Sequence, residues 1–186
     1  MRELVFCLEG EAEKAMLEGL LPRLSLPEDF VFRYLVFQGK QDLAKQLPLK
    51  LRKYINPQAR FFVLRDQDSH PNCVELKASL VALCTAAGRP FAVVRIACRE
   101  MESFFLADLL AVERGLDVKG LSRLQRTEKF RAPDRLGSPA KELVNLTRKQ
   151  YQKVSGSRLI GRHLQLDNER SPSFRNLVSG IRRLAA

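Results

Sequence analysis

Residues 60–68 read Arg60-Phe61-Phe62-Val63-Leu64-Arg65-Asp66-Gln67-Asp68. The apolar run between the two arginines is aromatic and β-branched, and it does not alternate with polar residues. It therefore predicts a strand over 60–65 that is buried on both faces, ending on a pair of acids. Beyond it Pro71 fits the first turn of a helix reaching Ala87, with Val74, Leu76, Leu80, Leu83 and Cys84 as its apolar stripe and Gly88 as its stop. A doubly buried strand followed by a helix is the repeating unit of a parallel sheet.

The same unit recurs on either side. Upstream, Leu4–Leu8 is a first strand ending in Glu9-Gly10. The helical pattern after it runs from about Glu11 to Leu24, with Pro22 marking a frayed last turn. Val31–Phe37 is a second strand, followed by a helical stretch over 41–55 that Pro48 divides into two. Downstream, Phe91–Ala97 is a fourth strand, and 102–114 a further helix. The expected fold is α/β: a Rossmann-like, four-stranded parallel sheet with helices on both faces. After Gly115 the pattern changes to a basic, turn-rich segment and three helical segments, over 139–148, 151–164 and 173–184. Residues 1–118 are expected to form the α/β core. Residues 119–186 are expected to form a basic helical extension packed on it, the two making one unit.

Charge divides at the same place. Residues 1–118 carry 16 basic and 16 acidic side chains, and residues 119–186 carry 16 and 5, so the whole net charge of +11 lies in the last segment. Such a surface attracts polyanions through counterion release, although a solvated basic face has the same composition. No apolar run is long enough for a membrane span, and the first residues read as a strand, not a secretory signal. Four cysteines without a C-x-x-C pair, and only two histidines, argue for reduced thiols in a cytoplasmic protein and against zinc.

Acids gather where strands end. The first strand ends in Glu9, with Glu13 four residues on; the third ends in Asp66 and Asp68; the fourth is followed by Glu100 and Glu102. In an open parallel sheet these positions share one edge, the usual place for a ligand. In an extended segment residues i and i+2 point the same way, which aims Asp66 with Asp68 and Glu100 with Glu102. Carboxylates within about 4–6 Å of one another repel unless a cation intervenes, and an oxygen-only set selects Mg²⁺ or Mn²⁺. Two such ions would suit displacement at phosphorus. A single D-x-D is by itself an ordinary solvated turn or cap. Ser171 or Ser173 reads as a helix cap, and His70 as a loop or capping residue before a general base. Tyr34, Tyr54 and Tyr151 fall away from the acids in the pattern, which disfavours a covalent tyrosyl intermediate.

Glu9-Gly10 after the first strand, with Asp66-x-Asp68 after the third, resembles the signature of Toprim domains. Glu13 makes it resemble the branch of overcoming-lysogenisation-defect (OLD) nucleases. The strings LEGEAE (8–13), FQGKQDL (37–43), VLRDQDSHPNC (63–73), REMESFFLAD (99–108), YQKVSGSRLI (151–160) and RSPSF (170–174) together resemble a bacterial Toprim-like family of unknown function. Its members are often encoded beside ATPases in phage-defence loci. The resemblance spans nearly the whole chain. It implies Glu9 as metal ligand or general base, with Glu13 on the same ion. Asp66 and Asp68 would hold the metals, and one of Glu100 and Glu102 would complete the site. Lys153 would assist at phosphorus, with Arg158 and Arg162 behind it for phosphate contacts, although a surface lysine is the plain alternative for Lys153. The implied activity is a nuclease using Mg²⁺ or Mn²⁺, acting on DNA ahead of RNA. The chain holds no G-x-x-x-x-G-K-[ST] motif, so any ATPase is a separate partner. Phosphatase or nucleotidyl-transfer chemistry on a small nucleotide, and a silent binding module, are the competing readings. The sequence leaves the oligomeric state open.

Overall fold

The computed structural model describes residues 2–186. Its continuously apolar runs form four strands, β1 (Arg2–Leu8), β2 (Phe30–Val36), β3 (Ala59–Asp66) and β4 (Val93–Ala97). They pair in parallel in the order β2-β1-β3-β4. Leu8 lies beside both Val36 and Leu64, and Asp66 beside Ala97. The register thus brings the carboxyl ends of all four strands to one edge. β4 starts two residues later than its composition suggests, and Phe91 is left 90% exposed.

Side-chain alternation divides the core between the two faces of the sheet. Leu4, Phe6, Leu8, Phe62, Leu64 and Val93 enter one apolar cluster, while Val5, Cys7, Phe61, Val63 and Val94 enter the other. The second face is covered by α2 (Lys40–Lys53) and α3 (Cys73–Ala86). The first is covered by α1 (Glu11–Leu20), α4 (Glu102–Leu106), α5 (Leu109–Leu116), α6 (Pro139–Leu146), α7 (Lys153–Gly161) and α8 (Pro172–Ala185). Helices with apolar residues on one face, covering both faces of an all-parallel sheet, are the α/β fold expected from the sequence.

The last 68 residues do not sit apart from this core. Phe174, Leu177, Val178, Ile181 and Leu184 of α8 are buried in the same cluster as Phe6 and Phe62. α7 crosses α1 at backbone contact. A Cβ on Gly161 would stand 2.5 Å from the Met16 carbonyl oxygen, and one on Gly19 would stand 2.7 Å from that of Arg158.

Several elements depart from their sequence signals. α2 runs unbroken through Pro48, because Leu43, Leu47 and Leu51 are all fully buried on one face and hold both halves in line. The helix expected over 102–114 is two helices. Asp108 breaks it by capping α5, its Oδ1 accepting from Ala111 N at 3.0 Å and its Oδ2 from Gln165 N at 2.7 Å. Pro71 lies ahead of α3, whose cap is Asn72. Val74 is 71% exposed and does not belong to the buried stripe. Among the described residues, no helix is long and apolar enough to cross a membrane.

Candidate active site

At the carboxyl edge of the sheet, one basin of about 360 Å³ is lined by Glu9, Glu13, Asp66, Asp68, Glu100 and Lys153. Each acid arrives there by its own local route. Glu9 follows β1, and its Oε2 lies 3.3 Å from the Asp66 amide, which donates to it, and 3.8 Å from Arg65 Nε. Glu13 is the third residue of α1 and folds back on the backbone of the Gly10 cap, as a glutamate at that position commonly does. This keeps it buried. Asp66 is the last residue of β3 and is 5% exposed.

Asp68 and Glu102 are placed differently from what an extended i, i+2 spacing implies, and Glu102 is fully buried near Asp66 instead of lining the basin. Asp68 has φ of 52°, so the chain turns there instead of continuing extended. That turn is held by the Asp68 amide donating to Arg99 O at 2.7 Å and the Gln67 amide to Ala97 O at 3.0 Å, tying the loop after β3 to the loop after β4. Met101 is already helical, so Glu100 and Glu102 diverge. Glu100 Oε2 accepts from Ala140 N at 2.7 Å in the first turn of α6. Glu102 is fully buried, and its Oε1 accepts from the Tyr151 hydroxyl at 3.0 Å. Each thus has one oxygen engaged; the other oxygen of Glu102, Oε2, is buried, while Glu100 is the one of the two that lines the basin.

Two buried carboxylate oxygens here, Asp66 Oδ1 and Glu102 Oε2, have no hydrogen-bond partner. An unpaired charge in that position is costly, and the carboxyls respond by holding protons more tightly. Burial, and then the charges of Glu13, Glu102 and Glu9, push Asp66 well above the usual carboxylate range. Burial also raises Glu9, with Asp68 and Glu13 adding to it, and is the main cause for Glu13 and Glu102. Lys153 is on the exposed first residue of α7. Desolvation alone would lower its pKa, but Glu102, Asp66 and Glu13 outweigh it and the ammonium is held charged.

Among the described residues no three His, Cys, Asp or Glu side chains form a ready-made ion cage. Like charges keep their distance, and the arrangement is a set of converging donors. Its chemistry still suits a hard divalent cation: every acid contributes oxygen, and the two buried oxygens have no hydrogen-bond partner among the described residues.

The structure also brings in residues that the sequence did not single out. Lys40, the first residue of α2, places Nζ 3.0 Å from Asp68 Oδ2. Its signal was available, since it follows Gly39 at the end of the second strand, on the same edge. Tyr151, expected away from the acids, is hydrogen-bonded to one of them across 49 positions of chain. It is buried, and burial with the nearby Glu102 pushes its phenol pKa up. Arg158 is not brought to the basin: it pairs with Glu18 of α1 at 2.8 Å. Arg162 is exposed just past α7, against Gly19 of α1, five residues and more beyond the N-terminal turn that holds Glu13. His70 Nδ1 accepts from the Asn72 amide in the turn before α3, and Ser171 caps α8 by accepting from Phe174 N, both structural roles.

Residues 8–182 match the family model described as a domain of unknown function, DUF4276. No curated protein matches the chain. Among solved structures, the C-terminal region of the Burkholderia pseudomallei OLD protein superposes with a TM-score of 0.53 at 16% identity, over 98% of each chain. At that identity the likeness is one of fold.

Proposed function

The chain belongs to the DUF4276 family, and we propose that it is a Toprim-like nuclease that hydrolyses nucleic-acid phosphodiesters with a divalent metal, Mg²⁺ or Mn²⁺. One observation carries the reading. Acids from the ends of β1 and β3 and from the segment after β4 meet Lys153 in one basin, with Asp66 Oδ1 and Glu102 Oε2 buried and unpartnered. The fold shared with the C-terminal region of the OLD protein agrees with it.

Asp66 and Glu102 would hold the inner side of the metal site, with Glu9, Glu13 and Asp68 completing the donors and Glu100 remaining a helix cap. When bound, two such ions stabilise charge on the transferring phosphoryl group and lower the pKa of water. The protein's own part is to hold these donors in place before substrate arrives. Lys153 presents a fixed positive charge at the mouth, where negative charge develops on the phosphate oxygens. Lys40 neutralises Asp68 on the opposite wall.

The substrate assigned is nucleic acid on the strength of the +11 charge, and DNA ahead of RNA only through the family resemblance. A separate ATPase partner and a role in phage defence belong to the proposal through the family resemblance. The test is incubation of the pure protein with supercoiled plasmid, linear DNA and RNA in Mg²⁺, Mn²⁺ or EDTA, with nucleotide hydrolysis measured alongside. Metal-dependent cutting that Asp66→Asn abolishes supports the reading. Hydrolysis of nucleotides alone replaces it with small-molecule phosphatase chemistry.

A further inference from the structure

Tyr151 is 4% exposed and stands immediately ahead of α7, with its hydroxyl among three oxygens. Glu102 Oε1 and Ser157 Oγ are each 3.0 Å away, and the Lys153 carbonyl is at 3.4 Å. Ser157 Oγ donates its own proton to the Lys153 carbonyl, one helical turn back. The single phenolic proton therefore goes to whichever remaining acceptor binds it best. A carboxylate outcompetes a neutral hydroxyl, because a charge-assisted hydrogen bond is about twice as strong as a neutral one.

The ring is fixed as firmly as the hydroxyl. It meets Phe105 edge-on with centroids 6.1 Å apart. On its other side α7 passes so close that a Cβ on Gly156 would stand 2.7 Å from the ring. No side chain other than glycine leaves the ring where it is. With the ring held between these neighbours, the hydroxyl has one place to be.

We propose that Tyr151 is a positioning residue of the metal site: it holds Glu102 by Oε1, so that the buried and unpartnered Oε2 is left for an ion shared with Asp66. This rests on the metal-site reading above. Without Tyr151 the buried Glu102 carboxylate is free to rotate, and either oxygen can be lost to another partner. The role is that of an outer hydrogen-bond partner, and losing such partners typically costs about 10–100-fold in metal affinity. A tyrosine that merely filled space would show no such effect when only its oxygen is removed.

The experiment measures Mn²⁺ affinity by calorimetry on the full chain, for wild type, Tyr151→Phe, Glu102→Gln, Asp66→Asn and the Tyr151→Phe/Glu102→Gln pair. Circular dichroism checks that each is folded. The expected result is about a tenfold or greater loss in Tyr151→Phe. It also includes no further loss when that change is added to Glu102→Gln, because both act through one carboxylate. Should Tyr151→Phe fail to fold, 3-fluorotyrosine at position 151 keeps the hydroxyl. Its fluorine resonance should then shift on adding Mg²⁺, and should not shift in Glu102→Gln. If Glu102→Gln and Asp66→Asn bind Mn²⁺ as tightly as wild type, the metal-site reading itself falls. If they lose binding while Tyr151→Phe keeps it, or if the fluorine resonance ignores the metal, only the positioning role is overturned.

Discussion

At Asp66 the cost of building the site falls on one carboxyl. The group is 5% exposed, it faces three other acids, and one of its oxygens is unpartnered among the described residues. Asp66→Asn keeps the shape and removes the charge. Thermal melting without metal should show it more stable than wild type, by on the order of 1 kcal/mol, or about 2–4 °C for a chain of this size. Mn²⁺ should raise the wild-type melting temperature and leave the variant where it is. The same residues set a pH dependence. Glu9, Glu13, Asp66 and Glu102 all have folded-state pKa values above their ordinary ones. Between the ordinary carboxylate range and those raised values the folded protein holds more protons than the unfolded one, so stability falls as pH rises. Glu3 and Glu113 are shifted downward and act only below the ordinary range. Melting temperature in EDTA should therefore drop as pH rises from the ordinary carboxylate range through the raised values, and saturating Mn²⁺ should flatten the slope. A flat profile in EDTA would show that the four acids are not strained. Lys153→Ala tests the transition state: single-turnover cleavage in Mn²⁺ should be lost, while binding in Ca²⁺ is largely kept. The placing of Glu9 and Asp66 at one sheet edge was legible because each stands at the end of a recognisable strand, whereas Lys153 was singled out only by the family resemblance. Tyr151 was not, because its partner lies 49 positions away and only tertiary packing joins them.

Elements were legible where composition alone decides them. The strand at 59–66 could be read from its short, unbroken apolar run of aromatic and β-branched residues ending on a pair of acids. Helix continuity was harder, because it depends on what lies underneath. Pro48 removes one hydrogen bond from α2, yet three buried leucines keep the helix whole; Asp108 carries no breaking propensity of that strength, yet it divides a helix by finding Ala111 and Gln165 as donors. The crossing of α1 and α7 is the element-level feature on which the site depends, since α1 carries Glu13 and α7 begins at Lys153. Gly161 allows the two backbones to touch. Gly161→Ala sets a methyl group 2.5 Å from a carbonyl oxygen that cannot rotate away, so the helices must part. Overpacking of this kind costs about 1–3 kcal/mol, read as a lower denaturation midpoint with an unchanged urea slope. Because parting the helices also withdraws Lys153 from Glu13, cleavage should fall further than stability explains. An alanine variant of full stability and full activity would remove the crossing from the account of the site.

At the scale of the whole molecule, the proposed nuclease would gather its substrate through the net charge, with the ion pairs deciding which charges are free to do so. All +11 lies beyond residue 118, whereas the carboxylate basin is built mostly from the neutral first segment, with Lys153 as the link. Affinity for DNA should accordingly come from the last segment and fall steeply with salt, the logarithm of the binding constant dropping by about 0.9 per phosphate contact for each tenfold rise in salt. The two arginines behind Lys153 are not equivalent in this respect. Arg162 is exposed, and no salt bridge to it is found among the described residues. Arg158 is held at 2.8 Å by Glu18, a half-exposed pair worth about 0–1 kcal/mol to the fold. Arg162→Ala should flatten the salt slope by about one unit, and Arg158→Ala by less, because part of that charge is already neutralised. Glu18→Gln gives the sharper comparison, since it leaves the arginine in place and removes its competitor. Titrations of labelled duplex in Ca²⁺, at several salt concentrations, should find the Glu18→Gln protein binding more tightly than wild type at low salt, with a steeper slope. That gain should disappear when Arg158→Ala is added. If Glu18→Gln leaves both affinity and slope unchanged, Arg158 lies off the path of the nucleic acid. The phosphate contacts would then come from other basic residues of the last segment, with Lys141, next to the Ala140 amide that donates to Glu100, the first to neutralise.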